Sequence, residues 1–98
     1  MSDGAVPAAR YKLRLIIAGN AHRSQRAVAN LRHVCATHLG GEVDLEVIDI
    51  FRHPDLAGQH EVIAAPTLLR LLPLPVRRII GDLSREDRVL RGLDIVAR

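Results

Sequence analysis

Apolar and polar residues alternate in two segments of the first half of the chain. Residues 11–18 alternate at first and end fully apolar, as a strand does when it enters a sheet that is covered on both faces. Residues 43–51 interleave aliphatic side chains with Asp44, Glu46 and Asp49. We predict one strand in each segment.

Between these two strands, apolar residues recur at the spacing of a helix. Ser24 can cap the N-terminus of this helix, and Gly40 and Gly41 are expected to end it. The predicted apolar stripe consists of Val28, Leu31, Val34 or Cys35, and Leu39. A helix between two strands predicts a βαβ unit with parallel strands and a right-handed crossover.

The second half of the chain has a weaker pattern. A short helix is expected over residues 53–62, because Pro54 is tolerated in a first helical turn. Residues 67–72 favour a strand by their length, although a buried helical turn would give a similar pattern. Residues 76–81 are a further candidate for a short strand.

The last segment supports two interpretations. Ser84 and Asp87 resemble a capping box, which favours a helix over residues 85–96. Residues 89–96 also alternate as a strand would, and Gly92 inside a helix costs about 1 kcal/mol relative to alanine. The local preference of this segment is therefore weak.

The predicted order β-α-β-α-β-β-α, with Pro66 immediately before the third strand, resembles the thioredoxin-like α/β fold. The chain has 98 residues, of which 48% are apolar and 26% are charged, as in one globular domain. We expect a single domain over residues 10–98 and a disordered arm over residues 1–9.

Arginine supplies nearly all of the positive charge. The formal net charge is +3, and Lys12 is the only lysine. The arginines are scattered from Arg10 to Arg98, and Tyr11 and Phe51 are the only aromatic residues, so a stacking platform for single-stranded nucleic acid is absent. The composition therefore favours a protein-binding surface, with no nucleic acid as partner.

The sequence also bears on location. No apolar stretch approaches the roughly 20 residues that a membrane span needs. The N-terminal segment lacks a basic start followed by an apolar run, and a single cysteine agrees with a reducing compartment. We expect a cytoplasmic protein without a membrane partner.

The segment between the first strand and its helix lacks a redox motif. Thioredoxin-type enzymes carry two reactive cysteines there, whereas residues 20–24 contain no sulfur, and Cys35 on the apolar stripe is expected to be a buried, inert thiol. His33 and His38 are five residues apart and should turn away from each other on a helix, so the histidines are interpreted as surface residues and not as metal ligands. We predict no enzyme activity and no cofactor.

Prolines bracket the third strand. Pro66 precedes it, and Pro73 and Pro75 follow it, just before the basic pair Arg77 and Arg78. X-Pro bonds that exchange slowly between cis and trans can act as switches, whereas prolines at strand ends can also form rigid loops. From these residues alone, both interpretations stand.

Several of these segments together resemble the KaiB family of clock proteins. The matching runs are Tyr11-Lys12-Leu13-Arg14-Leu15, Ala18-Gly19-Asn20, Val47-Ile48-Asp49, Ala65-Pro66-Thr67-Leu68 and, longest, Pro75-Val76-Arg77-Arg78-Ile79-Ile80-Gly81-Asp82-Leu83-Ser84. The resemblance implies a regulator that binds a KaiC-type hexameric ATPase and shapes its phosphorylation cycle in a circadian clock or timer.

The same resemblance implies two folds. A self-associated ground state, dimer or tetramer, would exchange with a thioredoxin-like state that binds the partner, and the two would differ in the C-terminal half. By resemblance, partner binding would use Arg26, Arg77 and Arg78. The residues expected to influence switching are Tyr11, Pro66, Pro73, Pro75, Gly92 and Asp94.

The chain departs from the cyanobacterial pattern at several positions. Leu74 interrupts a usual triple proline, Glu46 and Glu61 stand where lysine is common, and the acidic tail is missing. The reversed charges imply a diverged KaiC-like partner and make KaiA a doubtful one. The alternative function is a free-standing signalling module, similar to the SasA input domain, that acts on a histidine kinase or in a stress response.

Overall fold

A four-stranded mixed sheet forms the centre of the molecule. The computed structural model describes residues 10–19, 21–40, 42–53, 55 and 66–95. In chain order the elements are β1 (Tyr11–Ile17), α1 (His22–Val34) with a π-helical turn (Cys35–Leu39), β2 (Val43–Asp49), β3 (Thr67–Leu72), β4 (Arg77–Ile80) and α2 (Glu86–Gly92). The order of strands in the sheet is β2-β1-β3-β4.

The strand pairing confirms the βαβ unit. β1 and β2 are parallel over their whole length, from Tyr11 opposite Val43 to Ile17 opposite Asp49. β3 lies antiparallel to both β1 and β4. The strand interpretation of residues 67–72 is therefore correct, and the helical-turn alternative is wrong.

The core lies mainly on the face of the sheet that α1 and α2 cover. Its fully buried members include Leu13, Leu15, Leu31, Leu68 and Leu93. Ile16, Ile48 and Leu69 form a smaller buried cluster elsewhere. Because side chains alternate between the faces of a strand, Ile16 and Leu69 lie on the face opposite Leu15 and Leu68.

Both predicted serine caps are wrong. α1 begins at His22, two residues before Ser24, and the Ser24 hydroxyl is buried and accepts the N–H of Ala18 at 3.3 Å. Neither helix has a side-chain hydrogen bond at its N-cap. The N–H of Ser84 donates to Oδ1 of Asp82 at 3.1 Å, so Ser84 belongs to the turn before α2. Short polar side chains satisfy such turns as readily as they cap helices.

The helical interpretation of the C-terminal segment is correct for Glu86–Gly92, whereas the next described residues, 93–95, are not helical. α2 ends at Gly92, where a Cβ atom would lie 2.8 Å from Cδ1 of Ile79. A Cβ atom there would require the Ile79 side chain to shift, so glycine lets α2 pack on β4 without that movement.

Two predictions concern segments that the structure does not describe. The predicted arm of residues 1–9 lies outside the described residues. So do residues 56–62 of the predicted second helix, of which only His53 and Asp55 are described. Within the described ranges, no helix is long and apolar enough to cross a membrane.

Candidate partner-binding site

The predicted binding residues Arg77 and Arg78 lie on β4, the last strand of the sheet. Both side chains are exposed, and so is Ile80, at 64%. Ile79 packs towards the main core, so the side chains of Arg78 and Ile80 lie on the opposite face of the sheet. β4 therefore combines one partly buried side chain, which packs against the core, with a basic, partly apolar outer surface.

The structure brings Arg26 to the end of the same strand. Nη2 of Arg26, on α1, lies 3.0 Å from Oδ2 of Asp82, which follows β4 by two residues. Nδ2 of Asn30 donates to the carbonyl of Asp82 at 2.8 Å. Hydrogen bonds from the hydroxyl and N–H of Ser84 hold the pKa of Asp82 below its usual value, and the Arg26 charge adds to this. Asp82 therefore connects α1 to the loop after β4.

Exposed apolar side chains stand beside the arginines. Leu72, Leu74 and Val76, around the connection from β3 to β4, are exposed by 46%, 71% and 52%. Pro73 and Pro75 alternate with them, are also exposed, and follow cis peptide bonds. Contiguous exposed apolar residues of this kind are typical of an interaction surface.

Arg70 is a functional candidate that the sequence analysis missed. Its side chain is buried in β3, where Nη1 donates to the carbonyl of Leu93 and Nη2 donates to the carbonyl of Pro75 at 2.8 Å. Nε is buried without a hydrogen-bond partner among the described residues. The signal in the sequence was one arginine inside an otherwise apolar strand, Thr67–Leu72. Arg70 thus connects the end of α2 to the loop between β3 and β4, which contains Pro73 and Pro75.

The predicted switching residues are distributed along the second half, with one exception. Pro66 is buried, and its carbonyl accepts the N–H of Gly81 at 2.8 Å. Asp94 directly follows Leu93, whose carbonyl accepts a hydrogen bond from Arg70, and it has a positive φ of 59°. Tyr11 begins β1 and packs against the main core. The geometry gives each a position but does not test its role in switching.

His38 is buried, so its interpretation as a surface histidine is wrong. Nε2 of His38 and Nε2 of His33 lie 3.3 Å and 3.5 Å from the same oxygen, Oε1 of Glu86. The π-helical turn brings side chains five residues apart to one side of the helix, which the prediction from α-helical spacing missed. These contacts connect the end of α1 to the start of α2.

Cys35 is buried in the main core, as the sequence predicted. Burial raises the pKa of its thiol above the usual value, which disfavours the reactive thiolate. The turn where redox enzymes carry their cysteines is instead held by Asp49, whose Oδ1 accepts the N–H groups of Gly19 and Phe51, both at 2.9 Å. These two bonds lower the pKa of Asp49.

Solved structures with this architecture are thioredoxin-like. Mitochondrial thioredoxin 3 from Saccharomyces cerevisiae superposes with a TM-score of 0.69 at 19% identity, covering 87% of this chain and 77% of its own. The N-terminal domain of Synechococcus elongatus SasA gives a TM-score of 0.69 at 18% identity, covering 91% and 88%. The molecule has a thioredoxin-like fold, and its single cysteine is buried in the core.

Sequence comparison narrows this class to one family. The model of the KaiB domain matches residues 14–95. Circadian clock protein KaiB3 of Synechocystis sp. is 46% identical over 87 residues, which cover 89% of this chain and 85% of that protein. The chain belongs to the KaiB family.

Proposed function

We propose that this protein is a clock or timer regulator that binds a KaiC-type hexameric ATPase and modulates its phosphorylation cycle. Family membership supports the regulatory role, since the matched relative is named a circadian clock protein. We further propose that the protein acts in the cytoplasm and that it self-associates when it is not bound to the ATPase.

The observation that carries the proposal is the exposed arginine pair on β4. Arg77 and Arg78 have exposed side chains, and neither forms an ion pair with another described residue. An arginine fork can make paired hydrogen bonds to a carboxylate on a partner, and these bonds are stronger than those between neutral groups. Arg26 would act beside them through its contact with Asp82.

Titration against the KaiC-type ATPase of the same organism tests the proposal. Arg78→Ala should lower affinity at least tenfold, which corresponds to about 1.4 kcal/mol. Arg32→Ala, which removes an exposed arginine from α1, is the matched control and should change affinity by less than about twofold. Absence of binding by the unaltered protein in every nucleotide and phosphorylation state would overturn the proposed function.

The alternative function, a free-standing signalling module, draws only on the SasA likeness. That likeness is one of fold at 18% identity and carries no specific contact. Binding of a histidine kinase at affinity similar to that of the ATPase would favour this alternative.

A further inference from the structure

Among the strands that the structure describes, β4 lies at the edge of the sheet, and its outward backbone groups can be assigned from the pairing. The N–H of Gly81 donates to the carbonyl of Pro66, which makes these two residues a hydrogen-bonded pair. In an antiparallel ladder such pairs alternate with non-bonded ones, so Ile79 and Arg77 also bond to β3. The N–H and C=O groups of Arg78 and Ile80 therefore point away from β3, towards the open edge.

The residues with outward backbone groups are also those with exposed side chains. Ile80 is 64% exposed and Arg78 is exposed beside it on the same face. An added strand would bond to two donors and two acceptors there, while its side chains contact Arg78 and Ile80. An edge that no other described strand covers, with an exposed apolar residue on it, is a template for strand addition.

Charge limits what can occupy this edge. Residues 66–81 contain two exposed arginines and no aspartate or glutamate. The first carboxylate after β4 is Asp82, and Arg26 already pairs with it. A second copy of this chain would bring its own arginine pair and a net charge of +3 to the same edge, which like-charge repulsion opposes.

We propose that the open edge of β4 binds an extended acidic segment of the ATPase partner by strand addition, with a partner carboxylate facing Arg78. The inference rests on the proposed function for the identity of the partner. It goes beyond it by assigning the main chain of Arg78 and Ile80, and not only the arginine side chains, to the interface.

Amide hydrogen exchange, measured with and without the KaiC-type ATPase, tests this directly. In the free protein the amides of Arg78 and Ile80 should exchange rapidly, whereas those of Arg77 and Ile79 should be protected. In the complex, Arg78 and Ile80 should become protected at least tenfold. Binding without that protection would overturn strand addition and leave the proposed function standing, and absence of binding would overturn both.

A pair of variants separates the backbone from the side chain. Ile80→Pro removes an outward N–H at an edge position where proline is tolerated, and should lower affinity at least tenfold. Ile80→Ala keeps that N–H and should lower affinity by less than about threefold. Equal effects of the two would overturn the backbone contribution, once equal far-ultraviolet circular dichroism shows that both variants fold.

Self-pairing is a separate outcome of the same measurement. Protection of Arg78 and Ile80 that rises with protein concentration in the absence of the ATPase would assign the edge to a second copy. That result would overturn the acidic partner segment as its occupant.

Discussion

The two halves of the molecule share one apolar core but differ in the polar contacts that connect their elements. In β1, α1 and β2, the parallel ladder is regular along its full length, and leucine side chains fill much of the core behind it. In β3, β4 and α2, Arg70 donates to the carbonyl that follows α2, Asp82 pairs with Arg26 of α1, and Glu86 lies against His38. Apolar burial is non-directional, whereas a hydrogen bond depends on the distance and angle between its two groups.

The backbone of the second half differs as well. Leu83 and Asp94 have positive φ values of 62° and 59°. This conformation costs roughly 1 kcal/mol or more for a residue with a Cβ, and it is most unusual for a bulky side chain such as leucine. The second half is therefore held by tertiary contacts despite a weak local preference, as a segment with the two folds that the KaiB resemblance implies would be.

The largest expected effect comes from breaking the contacts of Arg70. Arg70→Met should leave the carbonyls of Leu93 and Pro75 without their donors and lower the local stability of β4 and α2 by about 2 kcal/mol, a typical loss for hydrogen bonds to a charged group. Hydrogen exchange should show this loss in β4 and α2 while β1 and β2 keep their protection. Arg70→Lys, which keeps the charge and can still reach one carbonyl, should lose less.

Equal loss of protection in every strand of Arg70→Met would contradict this difference between the halves. Arg70 would then support the whole fold and not the second half in particular.

A smaller effect is expected from replacing Asp94, which is predicted to influence the balance between the two folds. Asp94→Arg places a long side chain at a positive φ that aspartate and asparagine tolerate better, and should cost about 1 kcal/mol. Solution NMR should show two slowly exchanging sets of signals, concentrated after residue 63, with populations that shift in this variant. Asp94→Asn is the control, because asparagine also tolerates this conformation.

One rigid set of signals in the unaltered protein and in Asp94→Arg would count against switching in this chain. The C-terminal half would then have a single stable arrangement.

The sequence predicted the strands and the apolar stripe of α1 because their signals are local. Alternation and helical spacing placed residues 11–18 and 67–72 close to β1 and β3, and the buried members of the stripe include Leu31 and Leu39. Such signals need only neighbouring residues, since burial repeats with the period of the element.

The polar contacts were missed because their partners lie far apart in the chain. Arg70 binds carbonyls 5 and 23 residues away, and Asp82 is reached by Asn30 across 52 positions. A main-chain carbonyl is available at every residue, so no residue type announces that an arginine will bind it. The relative orientation of the His33 and His38 side chains was predicted wrongly, because α-helical spacing does not account for a π-helical turn.

A still smaller effect on stability is expected in acid, where Asp49 and Asp82 become protonated. The folded-state pKa values of Asp49 and Asp82 lie below the usual value near 3.9, so their stabilisation is present above about pH 4 and is lost as pH falls through the folded values. Urea unfolding at several pH values should show a smaller loss of stability in acid for Asp49→Asn and for Asp82→Asn than for the unaltered protein.

The two variants should differ in where they act. Asp49, at the end of β2, holds the turn between β1 and α1, whereas Asp82 connects the halves, so only Asp82→Asn should also weaken the protection of β4. The same acid dependence in both variants and in the unaltered protein would show that neither carboxylate contributes.

The smallest expected effect is that of replacing Cys35 on disulfide reduction. This measurement compares the chain with the redox enzymes that share its fold. Dithiol exchange needs a thiolate that attacks and a second sulfur that resolves the mixed disulfide. This chain has one cysteine, the turn before α1 has none, and burial raises the pKa of the Cys35 thiol. A disulfide-reduction assay should therefore give no turnover, with Cys35→Ala indistinguishable from the unaltered protein. Turnover that disappears in Cys35→Ala would overturn this prediction and show that Cys35 takes part in redox chemistry.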